Sequence, residues 1–239
     1  MNKVAVVTGA AKGLGRGVAL HLANEGFSVV VHFNRSEKEA ASVLKRVKSS
    51  SENSISLSAD LRLEKEVSKM FDAVLKRFGR VDLLVNNVGN FIYKKLSETT
   101  NGEFRDILES NIYSTLYSSR AVLPAMRRQG SGNIINIGAD DAARFMFREK
   151  VIPYYLAKNG VYVLTKAMAW EEGKMGVRIN MVSPGPMAMD IFKKSDFPMD
   201  RATRPRDVIA AIDFLLSRDA YYINGANIEV SGGFIAGAK

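Results

Sequence analysis

Short β-branched runs alternate with longer stretches of helical spacing from one end of the chain to the other. Val4–Thr8, Ser28–Phe33, Ser54–Ser58, Asp82–Val85, Asn133–Ile137, Val177–Val182 and Asn227–Val230 read as strands. Several are apolar almost throughout, the pattern of strands covered on both faces rather than one. Between them the apolar positions recur at helical spacing. Leu63 to Phe78 sets Val67, Met70, Phe71, Val74, Leu75 and Phe78 along one side and its charges on the other. Strand–helix alternation repeated this often predicts an α/β architecture, a doubly wound and mostly parallel sheet of seven strands. No Pro/Gly/Ser-rich linker and no long-period repeat interrupts it, so residues 1–239 are expected to form a single domain. In such a sheet ligands bind beyond the carboxyl ends of the strands, which directs attention to the segment after each one.

Composition narrows the chemistry. Hydrophobic residues make up 46% of the 239 and charged residues 25%, enough apolar material for a sizeable core. Cysteine is absent, which removes disulfides, thiolate metal sites and cysteine nucleophiles. Two histidines, His21 and His32, are too few for a histidine metal cage and speak against a Ser-His-Asp triad, so no metal is expected. The net charge is +9, yet the basic residues are scattered as pairs such as Arg127-Arg128 and Lys193-Lys194. That pattern describes a solvated surface rather than a nucleic-acid site. No apolar run approaches the ~20 residues of a membrane span. Val4–Val7 is too short for the apolar core of a signal peptide, so a cytoplasmic location is expected.

After the first strand comes Thr8-Gly9-Ala10-Ala11-Lys12-Gly13-Leu14-Gly15, running directly into a helical stretch from Arg16 to Asn24. Glycines there allow a sharp turn and let backbone amides approach a pyrophosphate at a helix N-terminus, where the dipole favours anions. The second strand ends in His32-Phe33-Asn34-Arg35-Ser36. A carboxylate is expected at that place for a free ribose 2′-hydroxyl, and none is present. Arg35 and Lys12 supply cations suited to a 2′-phosphate instead, which points to NADP(H).

Tyr154 and Lys158 stand four apart at the start of an expected helix in the second half, on one helix face. An ammonium beside a phenol is expected to lower the phenol's pKa from its reference of about 10. Tyr155 has the same chemistry, but its partner four residues on is the uncharged Asn159.

Taken together these segments resemble the short-chain dehydrogenase/reductase family over essentially the whole chain. Gly9, Gly13, Leu14 and Gly15 match its cofactor loop, and Asn86-Asn87-Val88-Gly89 its Asn-Asn-Ala-Gly segment. Tyr154 and Lys158 match its Tyr-x-x-x-Lys motif, Asn111 its helix asparagine, and Ser183-Pro184-Gly185 its Pro-Gly turn. The resemblance implies a Rossmann-type fold, with a cofactor half over about 1–130 and a catalytic and lid half over about 131–239. It implies Tyr154 as general acid, Lys158 holding the nicotinamide ribose and Asn111 anchoring a water that leads to Lys158. Asp60 and Leu61 would lie at the adenine. Ser36, Asn87, Gly89, Pro184, Gly185 and Met187 would also contact the cofactor.

The sequence departs from the family at two places. Ala139 takes the position of the substrate-orienting serine, and Pro186-Met187-Ala188-Met189 lacks the threonine that follows Pro-Gly. Three readings follow: Asp140 or Asp141 stands in for the serine, the substrate needs no such donor, or the protein does not catalyse the family reaction. Pteridine reductases are similar in carrying an aspartate after the fifth strand and a His-x-x-Arg-Ser segment after the second. The 3-oxoacyl-acyl-carrier-protein reductases are similar in their compact plan, and Arg127, Arg128 and Lys174 would suit an acidic carrier protein. Three functions are therefore open: a carbonyl reductase acting on 3-oxoacyl thioesters, a pterin reductase using Asp140, and an NADPH-binding sensor with little turnover. Relatives assemble as homodimers or homotetramers, and the same is expected here. Met187 to Arg204 reads as a substrate lid, with Met181, Met187, Met189 and Met199 near it.

Overall fold

The structure, a computed structural model, describes residues 2–140, 142–144, 149–187 and 192–234. β1 (Val4–Val7), β2 (Ser28–Phe33), β3 (Ile55–Ser58), β4 (Leu83–Asn86), β5 (Gly132–Ile137), β6 (Val177–Pro184) and β7 (Asn227–Val230) form one sheet. Its order is β3-β2-β1-β4-β5-β6-β7, and every neighbouring pair is parallel. β1 pairs with β2 on one side and β4 on the other, so the winding reverses there and opens a crevice at their carboxyl ends.

Alternation along β1 shows why the sheet needs helices on both faces. Ala5 and Val7 point into one core, shared with α1 (Gly13–Asn24), α2 (Glu37–Lys48) and α7 (Pro205–Leu216). Val4 and Val6 point into the other, shared with α3 (Glu64–Phe78), α5 (Ser114–Gln129) and α6 (Ile152–Glu172). On α3 the expected apolar side holds: Val67, Met70, Phe71 and Val74 are buried, with Leu75 and Phe78 packed at the edge. Gly79 then ends the helix at φ 71°, a left-handed value that suits glycine.

All seven expected strands are present, with ends shifted by one or two residues. β6 is longer than expected because Ser183 and Pro184 pair with Glu229 and Val230 of β7. Helix α1 starts at Gly13, before the expected Arg16, and the Arg16 N–H already donates to the Lys12 carbonyl at 3.1 Å. Beneath the crevice a polar ladder crosses the apolar core. Asn86 donates to Asn136 Oδ1 at 2.9 Å and to Ser119 Oγ at 3.1 Å, and Asn136 donates to Thr165 Oγ1 at 2.8 Å. These bonds tie β4 and β5 to α5 and α6.

Phe71 is among the largest fully buried side chains. Truncating it to alanine is expected to lower the unfolding free energy by about 3–5 kcal/mol. Urea titration checks this, and a loss under about 1 kcal/mol would show that the α3 face is not closed.

Candidate active site

The glycine loop is held from three directions. Gly9 and Gly13 take φ values of 62° and 53°, so both need the freedom of glycine. Gly15 is required for space: a Cβ there would lie 2.4 Å from the Gly9 carbonyl oxygen. Asn87 Nδ2 donates to the carbonyls of Thr8 at 3.0 Å and Gly9 at 3.3 Å, and its backbone N–H donates to Thr8 Oγ1 at 2.8 Å. The third support is His32, which sequence reasoning used only as part of a segment resemblance. The Gly9 N–H donates to its Nδ1 at 3.0 Å, and its Nε2 lies 3.0 Å from the Ala59 carbonyl. A nitrogen that accepts on one side and donates on the other makes this a neutral imidazole. Burial pushes its pKa down to about 4.

Helix α1 begins with Lys12 at its cap, no side-chain cap bond and no acidic residue in its first turn. Its amide donors therefore face an electropositive opening. Leu14 is buried in the core, so only its backbone is available to a ligand. A cleft of about 520 Å³ opens beside the loop, lined by Gly9, Lys12, Arg35, Ser36, Asp60, Leu61 and Arg62 among others. Lys12 pairs with Glu39 at 2.8 Å. Asp60 is gripped by Arg62, at 2.9 Å from Nε and 2.5 Å from Nη2, which holds its carboxyl below the usual carboxylate range. Arg62 also reaches Asp106 at 2.7 Å, and Asp106 accepts from Asn90 at 2.6 Å. Sequence reasoning missed Arg62 and Asp106, because residues 44 apart leave no local signal. A glycine cradle, an uncapped helix N-terminus and a cleft with cations at one end fit a phosphorylated dinucleotide.

Further along the same edge, Pro153 opens α6 and places Tyr154 and Lys158 one turn apart. Lys158 is buried, donates to the Ile137 carbonyl at 2.8 Å and lies 5.5 Å from the centre of the Tyr154 ring. Burial lowers its pKa to about 8. The expected lowering of the Tyr154 pKa is not what the structure shows. Desolvation, and after it the negative charge of Asp140, pushes the phenol above its ordinary value. Phe91, also missed by sequence reasoning, sets its ring edge-on to Tyr154 with centroids 5.1 Å apart. Ala139 is buried and brings only a methyl group to the position of the serine. Asp140, also buried, accepts a hydrogen bond from the Tyr155 hydroxyl at 3.1 Å, while its N–H donates to Pro184 at 3.1 Å. Tyr155 thus turns toward Asp140 and leaves Tyr154 beside Lys158. Asp141 lies outside the described residues.

Asn111 sits in a π-helical turn, Glu109–Tyr113, between α4 (Asn101–Leu108) and α5. Hydroxyls and an amide take up the widened turn's carbonyls: Asn111 Nδ2 donates to Ile107 at 2.9 Å, and Thr115 donates to Asn111 at 2.8 Å. Asn111 Nδ2 also reaches the Asn90 carbonyl at 3.0 Å. Its buried Oδ1 has no partner among the described residues, and a Cβ on Gly89 would come within 2.1 Å of it. Only glycine fits at position 89.

Gly185 donates to Val230 at 3.1 Å, and a Cβ there would meet the Ser231 backbone at 2.9 Å. Met187 is half-buried against the core next to it. Ala188 and Met189 lie outside the described residues. In the segment expected to be a lid, Phe192 and Phe197 gather with Phe234, which follows β7, with ring centroids 5.4–5.9 Å apart. Met181 is fully buried on β6, whereas Met199 is exposed.

A nucleotide cleft and a phenol–ammonium pair on one edge of a doubly wound sheet are the equipment of a nicotinamide-dependent oxidoreductase. The profile of the short chain dehydrogenase family matches residues 3–198. A 3-oxoacyl-[acyl-carrier-protein] reductase, FabG, of Staphylococcus epidermidis is 34% identical over 98% of this chain and 99% of its own. A putative oxidoreductase, YtkK, of Bacillus subtilis is 33% identical over 96% and 95% of the two chains. The crystal structure of acetoin dehydrogenase YohF from Salmonella typhimurium superposes with a TM-score of 0.89 and 28% identity, covering 98% and 96% of the chains. The chain belongs to the short-chain dehydrogenase/reductase family. Among the described residues no helix is long and apolar enough to cross a membrane.

The neutral state of His32 makes stability depend on pH. Between pH 6.5 and about 4 the unfolded chain binds a proton that the folded chain refuses. Stability is therefore full above pH 6.5 and falls by up to about 3 kcal/mol on acidification through that window. Urea midpoints across the range check this, and His32→Gln is expected to flatten the slope.

Proposed function

We propose that the protein is an NADP(H)-dependent reductase of carbonyl compounds, with 3-oxoacyl thioesters as the substrate class. The observation that carries the reading is the half-buried Tyr154 phenol beside the buried Lys158 ammonium, on the edge that holds the nucleotide cleft. When bound, NADPH supplies the hydride. Lys12 and Arg35 would bind its 2′-phosphate, and the amides of the glycine loop and the first turn of α1 would bind its pyrophosphate. Asp60 and Leu61 would face the adenine, with Ser36, Asn87, Gly89, Pro184, Gly185 and Met187 further along the cofactor. Lys158 would hold the nicotinamide ribose, and Asn111 would anchor the water leading to it.

Tyr154 gives its hydroxyl proton to the substrate oxygen as that oxygen becomes an alcohol. Its raised pKa keeps the proton on the phenol at neutral pH, the state that reduction requires. The Lys158 cation then stabilises the phenolate left behind. Asp140 opposes the phenolate, which helps keep Tyr154 protonated before the transfer. An acyl carrier protein is the carrier that this substrate class implies. A homodimer or homotetramer and a cytoplasmic location belong to the same reading.

A second reading rests on Asp140. Its carboxyl stands beside both tyrosines where Ala139 has removed a serine donor. A carboxyl there could pass a proton to a ring nitrogen, as reduction of a dihydropterin needs. NADPH consumption with a 3-oxoacyl thioester and a dihydropterin side by side separates the two readings. Consumption with neither substrate, alongside tight NADPH binding, would favour the sensor.

Tyr154→Phe is expected to cut turnover by about 10²–10⁴ while NADPH affinity stays nearly unchanged. Stopped-flow rates and fluorescence titration check both, and unchanged turnover removes Tyr154 from the mechanism. With a dihydropterin, Asp140→Ala is expected to lower the rate far more than Asp141→Ala. Equal and small effects would rule out Asp140 as the serine's replacement.

A further inference from the structure

The cations offered to a ribose phosphate differ in their freedom. Arg35 has no hydrogen bond or ion pair among the described residues. Lys12 is already engaged, with its ammonium 2.8 Å from Glu39 Oε1. Glu39 lies in the first turn of α2, directly after the His32–Ser36 segment that turns out of β2. The pair with Lys12 holds its carboxyl below the usual carboxylate range. A side chain of this protein thus takes the position toward Lys12 that a phosphate monoester would take. We propose that Glu39 is a specificity-determining residue that competes with the nucleotide's ribose 2′-phosphate for Lys12, and so limits the preference for the phosphorylated cofactor.

The inference rests on the NADP(H) reading and goes beyond it. A nucleotide with a free 2′-hydroxyl leaves the Lys12–Glu39 pair in place. One with a 2′-phosphate must either displace Glu39 or bring a dianion next to a carboxylate. The cost therefore falls on one of the two cofactors alone, which is how a residue sets specificity rather than affinity. Both side chains are about half exposed, 62% for Lys12 and 47% for Glu39, so water and salt weaken the competition. Exposed pairs of this kind are worth up to about a fivefold change in an equilibrium constant.

The test uses two probes that differ only in the phosphate, adenosine 2′,5′-bisphosphate and adenosine 5′-monophosphate, titrated calorimetrically into the full chain. Glu39→Gln is expected to tighten the bisphosphate by about three- to fivefold, to leave the monophosphate unchanged, and to lose this difference at high salt. Glu39→Ala should act in the same direction, which excludes a contact made by the glutamine itself. No tightening of the bisphosphate, or equal tightening of both probes, overturns the proposal. The NADP(H) reading is judged separately on the unsubstituted protein, where equal affinity for the two probes would overturn it.

Discussion

Because all seven strands run in the same direction, all seven carboxyl ends open on one edge of the sheet. Both faces are then committed to helices, since parallel strands need crossovers and the crossovers bring apolar stripes with them. Chemistry is left with that single edge. The glycine loop follows β1, Arg35 follows β2, Asp60 follows β3, Asn87 follows β4, Asp140 follows β5 and Gly185 follows β6. Residues scattered over most of the chain are brought together by strand direction alone, and the reversal of winding at β1 makes room for a ligand between them.

Within that edge, charge and solvent act on one phenol, Tyr154, in opposite directions. Proximity to an ammonium favours the phenolate, while exclusion of water and a neighbouring carboxylate favour the phenol. Here the second pair wins, and burial is the larger of its two contributions. The ammonium is itself weakened by the same exclusion of water, to a pKa of about 8. Under the proposed reading such a phenol would begin as a proton donor, and Lys158 would act mainly on the charge that develops once the proton has left.

Much of this was legible in the sequence, and the exceptions have a common cause. Strand positions came within one or two residues because fully buried strands must be apolar on both sides. The glycine loop was legible because positive φ at Gly9 and Gly13, and the missing space at Gly15, leave no other residue type. Tyr154 and Lys158 were legible through helical spacing and resemblance. The partners that act through space were not. Arg62 finds Asp106 across 44 positions, and His32 finds the Gly9 amide across 23. Tyr155 appeared only as a poorer candidate than Tyr154, and its bond to Asp140 belongs to the fold. The sign of the Tyr154 shift was misjudged for a related reason, since spacing shows which charges are near but not how much water is missing.

The pairing of β1 with β4 has a kinetic consequence. Thr8 reaches the Val85 carbonyl across 77 residues, so a long loop must close before the crevice exists. Sheets built from such distant pairings form slowly, and until they close, the apolar edge of β1 is available to other chains. A ligand lying across the cleft touches loops from β1, β2 and β3 and the Val88–Asn90 segment after β4. It would hold shut the joint that takes longest to form, and its abundance would govern how long the folded chain survives as well as how fast it works.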